Sequence, residues 1–153
     1  MFGSVGRGTV RFINNYPPQF VGQVMRAFAT WEASTNFTFS QSARVQTADI
    51  QISFERGEHG DGHPLDGYGG VLAHCFGPIA GRIHFDADQQ WDWGVRILQN
   101  DLESVALHEI GHALGLGHTD VQDAVMWPII NFGFTKTHLH HDDINGIRAM
   151  HGD

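Results

Sequence analysis

The run His108-Glu109-Ile110-Gly111-His112-Ala113-Leu114-Gly115-Leu116-Gly117-His118 gathers side chains that can do metal chemistry. His108 and His112 are four apart, so on a helix they share a face and both imidazoles can address one ion. His118 leaves that face if the helix continues. Gly115 and Gly117 give the backbone freedom to quit the helix and return His118 as a third ligand. Three neutral imidazoles suit zinc and leave a fourth tetrahedral position to water, the arrangement of a catalytic site rather than a closed one. Glu109 cannot easily reach the metal as a ligand; it is placed to take a proton from that water. The five-residue pattern alone would also describe two surface histidines and a solvated glutamate. The glycine and the third histidine separate the two readings.

A second constellation lies upstream. His59, Asp61, His74 and His84 supply three imidazoles and a carboxylate, a full set of four donors that leaves no position for substrate and so describes a structural zinc site. Asp66 and Asp86 remain as hard oxygen donors near glycine-rich turns with many backbone carbonyls, which suits calcium. The alternative from spacing alone is that these histidines and aspartates solvate a flexible loop.

The elements that must position these residues follow from periodicity. Thr9 to Asn14 reads as a strand. Pro17-Pro18 opens a helix with Phe20, Val21, Val24, Met25, Phe28 and Trp31 at helical spacing, a core stripe. Phe37 to Ser40 and the alternating Asp49 to Phe54 read as strands, and so does Arg82 to Phe85. Residues 55–81 read as glycine-rich loop with a short apolar run at Val71-Leu72-Ala73. A helix from Leu102 to Leu114, capped by Asn100 or Asp101, carries the first two histidines. Residues 119–141 read as irregular. Asp142 or Asp143 caps a last helix with Ile144, Ile147 and Met150 on one face. This order predicts an α+β fold, a twisted mixed sheet packed by helices.

With 153 residues, 41% of them hydrophobic, the chain is sized for one domain with a real core, expected over 1–153 with 1–8 as a flexible leader. A formal charge of −8, from 9 Lys+Arg against 17 Asp+Glu, argues against a nucleic-acid surface. No apolar run approaches the length of a membrane span. Cys75 is alone, so no internal disulfide is expected. It reads as a small core hydrophobe rather than a nucleophile.

From about residue 9 to 152 the sequence resembles the catalytic domain of the matrixins, the matrix metalloproteinase family of metzincins. The resemblance rests on the long histidine motif followed by Thr119, and on His59-Gly60-Asp61 through Leu72-Ala73-His74. Ala124-Val125-Met126-Trp127-Pro128 is similar to the family's Met-turn, and Asp142-Asp143-Ile144-Asn145-Gly146-Ile147 to the start of its last helix. The resemblance implies a five-stranded mixed sheet with three helices and a zinc cleft between a larger upper and a smaller lower subdomain. It implies catalytic zinc on His108, His112 and His118, Glu109 as general base, Met126 beneath the zinc ligands, and structural zinc on His59, Asp61, His74 and His84. It implies calcium on Asp66, the carbonyls of Gly67, Gly69 and Val71, and Asp86. Gln89 stands where the family has a calcium-binding glutamate, which weakens that site. A second calcium site drawing on Asp49 lacks its usual partner, because Arg82-Ile83 stand before His84. Leu72 and Ala73 are implied to bind substrate, and Ser104, Val105, Pro128 and Ile130 to line a pocket for a large apolar residue after the cleaved bond; Ser104 reads equally as a helix-surface serine. Ile130 replaces a tyrosine common in the family, and the compact 74–84 segment resembles plant-type members.

The family implies an extracellular, secreted endopeptidase acting on peptides and proteins, monomeric and open to proteinaceous metalloproteinase inhibitors. Neither the family's inhibitory pro-segment nor its haemopexin-like domain is expected within this sequence. Two other readings are a metal-stabilised binding module without turnover and a metzincin hydrolase outside the matrixins. Glu109 argues against the first, since a purely structural site has no use for it.

Overall fold

A computed structural model describes residues 6–77, 81–92 and 99–152. Alternating apolar residues in Ile50–Glu55 make the central strand, with Ile50 and Ile52 fully buried. It is β3 in chain order. It pairs in parallel with β1 (Arg7–Phe12) on one side and with β5 (Arg82–Asp86) on the other. Beyond β1 lies β2 (Thr38–Gln41), also parallel; beyond β5 lies β4 (Ala73–Phe76), antiparallel and at the sheet edge. The five-stranded order is β2-β1-β3-β5-β4, a mixed sheet as expected.

The described residues also form three α-helices. A 3-10 turn, Pro18–Phe20, leads into α1 (Val21–Ser34), whose Val24, Ala27, Phe28 and Trp31 are buried as the spacing requires. The helix α2 (Leu102–Ala113) packs against α1, and the buried Trp31 indole N–H donates to the Leu107 carbonyl at 3.0 Å. The last helix, α3 (His141–His151), buries Ile147. One apolar cluster runs from Val10 through Phe85 and Ile110 to Ile147. Among the described residues no helix is long and apolar enough to cross a membrane.

Several expectations need correction. Arg7 and Gly8 are not leader: they pair with Thr38 and Phe39, so β1 starts two residues early. Residues 1–5 of that expected leader lie outside the described residues. The stretch 55–81 is not all loop, since β4 forms within it. Its four side chains are all half-buried, so neither face shows the alternation that marks a strand in sequence. A short parallel pair, β6 (Trp91–Asp92) with β7 (Asn100–Asp101), also went unanticipated. The α3 cap is His140, not Asp142 or Asp143. Its side chain accepts from Asp142 N–H while Asp143 at the third helical position reaches back to the His140 N–H. Met150 is half exposed rather than packed with Ile147.

Candidate active site and metal centres

Asp101 starts α2 by accepting the Ser104 backbone N–H at 3.0 Å. One turn on, His108 and His112 project from the same face. The helix ends at Gly115, whose φ of 107° is open to glycine and strained for other residues. This turn lets Leu116 N–H bond back to the Gly111 carbonyl at 2.9 Å and brings His118 round. Gly117 does not adopt a positive φ, so Gly115 alone carries the reversal expected of both.

The result is a triangle of nitrogens. His108 and His112 Nε2 lie 3.0 Å apart, His112 and His118 Nε2 3.2 Å, and His108 and His118 Nε2 3.3 Å. Zinc–nitrogen bonds of about 2.0–2.1 Å on tetrahedral vertices require edges of about 3.3–3.4 Å, so the three residues fit that ion. The far sides of two rings are fixed: His108 Nδ1–H donates to the Val125 carbonyl at 2.7 Å and His112 Nδ1–H to the Leu116 carbonyl at 2.8 Å. These contacts leave Nε2 as the lone-pair donor toward the metal position. Burial, then the neighbouring imidazoles, hold the His108 ring down at about 4, and burial lowers His112 as well, so both favour the neutral, ligating form.

Glu109 follows on the next position of α2 and is buried at 5% exposure. Among the described residues its Oε2 has no hydrogen-bond partner, and burial pushes its carboxyl up to about 8. A carboxylate is costly to leave in this state unless something outside the chain engages it. It lines a cleft of about 710 Å³ with the three histidines. One wall is Gly70 through Cys75, from the edge strand β4 and its approach; the other is Gly115 to His118 and Pro128 to Ile130. Leu72, Ala73, Val105, Pro128 and Ile130, all expected at a substrate site, are among these lining residues. Cys75 is half-buried there rather than deep in the core, and burial with the nearby Glu109 charge pushes its thiol well up, which makes it a poor nucleophile.

Ser104 is placed differently from the expectation. It is 1% exposed and is not part of the cleft lining. Its hydroxyl donates to the Asp101 carboxylate and accepts the Lys136 backbone N–H at 2.7 Å. It therefore ties the 128–139 segment to the start of α2, and a larger residue here would break those contacts before it could fill a pocket.

Behind the histidines lies the Met126 turn, whose tie to Asp143 was not legible in the sequence. Met126 is buried under α2, where its sulfur lies so close to Gly111 that any Cβ there would collide with it. The Val125 and Met126 backbone N–H groups donate to the two oxygens of buried Asp143, at 2.9 and 3.0 Å. One of those oxygens also takes the His140 N–H at 2.8 Å. Asp143 thus fixes the turn whose Val125 carbonyl orients His108. Asp143→Ala leaves three N–H groups without their acceptor, and each buried orphan costs about 1–3 kcal/mol. The expected result is a melting temperature lowered by about 6 °C or more for a domain of this size, with weaker zinc retention on dialysis. An unchanged melting curve and zinc content would remove Asp143 from this role.

The second cluster brings His59, Asp61, His74 and His84 together. Asp61 Oδ2 lies 2.7 Å from His59 Nε2 and 2.9 Å from both His74 Nε2 and His84 Nδ1. His84 Nδ1 lies 3.0 Å from His59 Nε2 and 3.1 Å from His74 Nε2. Four donors from the loop, β4 and β5 converge on one point, and the set fits a tetrahedral zinc. His59 Nδ1–H donates to the Gly57 carbonyl at 2.8 Å, the same kind of outer contact seen at the first cluster. Burial keeps His74 and His84 below the ordinary imidazole value. Asp61, though burial opposes it, is held well below the carboxylate range by the His63 N–H and the His74 and His84 rings.

The residues implied for calcium also meet, between the 66–71 turn and the end of β5. Asp86 is fully buried; its Oδ2 accepts Gly67 N–H at 3.0 Å and its Oδ1 accepts Asp88 N–H at 2.9 Å. Asp66 Oδ1 accepts Val71 N–H at 2.7 Å. Gln89 Nε2 donates to the Gly67 carbonyl at 2.6 Å. Asp49, the residue on which a second calcium site lacking its usual partner would draw, accepts the Thr9 N–H and hydroxyl at 2.8 and 2.7 Å, linking it to β1.

Comparison with protein families matches residues 13–152 to the family described as Matrixin. Metalloendoproteinase 5-MMP of Arabidopsis thaliana is 45% identical over 148 residues, covering 91% of this chain and 41% of that protein. Metalloendoproteinase 1 of Glycine max is 41% identical, covering 95% of this chain and 52% of that protein. Interstitial collagenase of Equus caballus is 44% identical, covering 92% of this chain and 31% of that protein. The chain thus spans about half of these relatives or less.

Proposed function

The chain belongs to the matrixin family, and from that premise we propose that it is a zinc-dependent endopeptidase that hydrolyses internal peptide bonds of extracellular proteins. The observation that supports this most directly is Glu109, a buried carboxylate with an unpartnered oxygen in a cleft it shares with three converging imidazoles. A zinc ion on His108, His112 and His118 would supply Lewis-acid polarisation of a peptide carbonyl and of the attacking water.

The chain's own groups do the rest. Glu109 takes the water proton and passes it to the leaving amine. The edge strand β4 offers a free side to an extended substrate, which would lie along Leu72 and Ala73 as an added strand. Val105, Pro128 and Ile130 give the pocket beyond the scissile bond an apolar wall that suits Leu, Met or a larger apolar residue. A second zinc on His59, Asp61, His74 and His84 is structural. Partners are peptide and protein substrates and proteinaceous inhibitors that enter the same cleft. The chain acts as a secreted monomer.

Cleavage of a peptide library tests this reading. Turnover should stop with a zinc chelator and return with zinc. Cut sites should favour large apolar residues just after the cleaved bond, in a graded way, since apolar discrimination is about 1–3 kcal/mol per methylene-scale change. Cleavage that survives complete zinc removal would overturn the mechanism; dominance of charged residues at that position would overturn the pocket alone.

A further inference from the structure

The turn that borders the cleft is built around a position where calcium is implied, and the chemistry at its centre points elsewhere. Gln89 is 6% exposed. Its Nε2 donates to the Gly67 carbonyl at 2.6 Å and to the Val71 carbonyl at 3.4 Å, while its Oε1 accepts the Gly69 N–H at 3.2 Å. Gly67 and Val71 are two of the three carbonyls that calcium would need. Turning the amide over would set its oxygen against both carbonyls and its NH2 against an N–H, so the orientation is fixed by its partners. The acidic side chains are engaged in the same closure. Asp86 takes Gly67 and Asp88 N–H, and Asp66 takes Val71 N–H. A glutamine also removes one negative charge from the ligand set, and calcium affinity follows ligand charge.

We propose that the Gln89 amide stands in for the cation, so that this chain closes its 66–71 turn by hydrogen bonds and does not use calcium there. The NH2 group does what calcium does for the turn: it gathers converging carbonyl oxygens around a positive partner. The turn leads directly into Leu72 and Ala73 of the cleft wall, so its order matters to the site while its closure is intrinsic to the chain.

The test is thermal and spectroscopic and does not depend on turnover. Wild type, Gln89→Glu, Gln89→Met and Asp86→Asn are prepared in calcium-free buffer with zinc content matched. Melting temperature is measured against millimolar calcium. Terbium is the luminescent probe, sensitised by Trp91, whose indole N–H donates to the Asp86 carbonyl at 2.8 Å. The response counted is the part that Asp86→Asn removes. Wild type should show no such melting shift and no saturable terbium emission. Gln89→Glu should melt lower than wild type without calcium and recover about 5–10 °C with it, with terbium emission to match. A Gln89→Glu chain that folds only when calcium is present supports the proposal equally. Gln89→Met, which keeps the bulk and loses the donor, should melt lower than wild type in calcium-free buffer. The proposal is overturned by a wild-type calcium shift equal to that of Gln89→Glu, by a Gln89→Glu chain that behaves as wild type in both conditions, or by a Gln89→Met chain with the wild-type melting temperature.

Discussion

Glu109→Ala is expected to abolish peptide cleavage while both zincs stay bound. General-base loss costs at least about 10²–10⁴-fold in rate, equivalent to roughly 2.7–5.5 kcal/mol of barrier. The zinc ligands and their backing contacts from Val125 and Leu116 are untouched by the change. The fold should not suffer either. Among the described residues Glu109 Oε2 has no hydrogen-bond partner, so the wild-type chain carries a buried carboxyl oxygen whose desolvation opposes stability. Removing it should leave the melting temperature level or raise it, the signature of a group kept for chemistry rather than structure. Turnover, zinc stoichiometry and melting temperature measured on one preparation decide the matter. Near-normal turnover would sink the role of Glu109. Loss of turnover together with loss of one zinc would show instead that the residue holds the metal site together.

Short-range pattern carried much of this molecule. The α1 stripe, the alternation of β3 and the spacing of His108 and His112 are local, and each takes the form its residues imply. The limits of that reading are where partners are distant in sequence. Ser104 resembles a pocket residue until its hydroxyl meets the Lys136 backbone N–H. Asp143 looks like a helix cap, yet its carboxylate is divided between the α3 start and the turn beneath His108. That second duty explains why His140 becomes the cap. β4 was hidden because its residues are half-buried on both faces, a consequence of lying at the sheet edge beside the cleft. Gln89 was legible only as a missing carboxylate. That its amide would donate to the carbonyls the ligand was meant to gather depends on a turn twenty residues upstream. The metal-ligand sets were readable early for the opposite reason: four donors or three must be of the right type whatever path the chain takes between them.

The other large effect belongs to the second cluster. His84→Ala should remove one zinc of two and destabilise the fold far more than it alters the chemistry. His84 is on β5, inside the sheet, and its Nδ1 lies within 3.1 Å of Asp61, His59 and His74 donor atoms. Losing it leaves three donors that no longer close a tetrahedron, and leaves the Asp61 carboxylate without one of the rings that hold it charged. A ligand present at a thousandfold its dissociation constant stabilises by about 4 kcal/mol, which for a domain of this size is about 8–16 °C of melting temperature. His74→Ala should behave alike, with an added rise in KM, because β4 also borders the cleft. His84→Ala should keep its kcat below its own melting transition, since His108, Glu109, His112 and His118 are on α2 and the turn after it. This contrast separates the two clusters: ligand loss at the first removes turnover, and ligand loss at the second removes stability. A His84→Ala chain with two zincs and an unchanged melting curve would end the structural assignment. One that melts normally but loses turnover would exchange the roles given to the two sites.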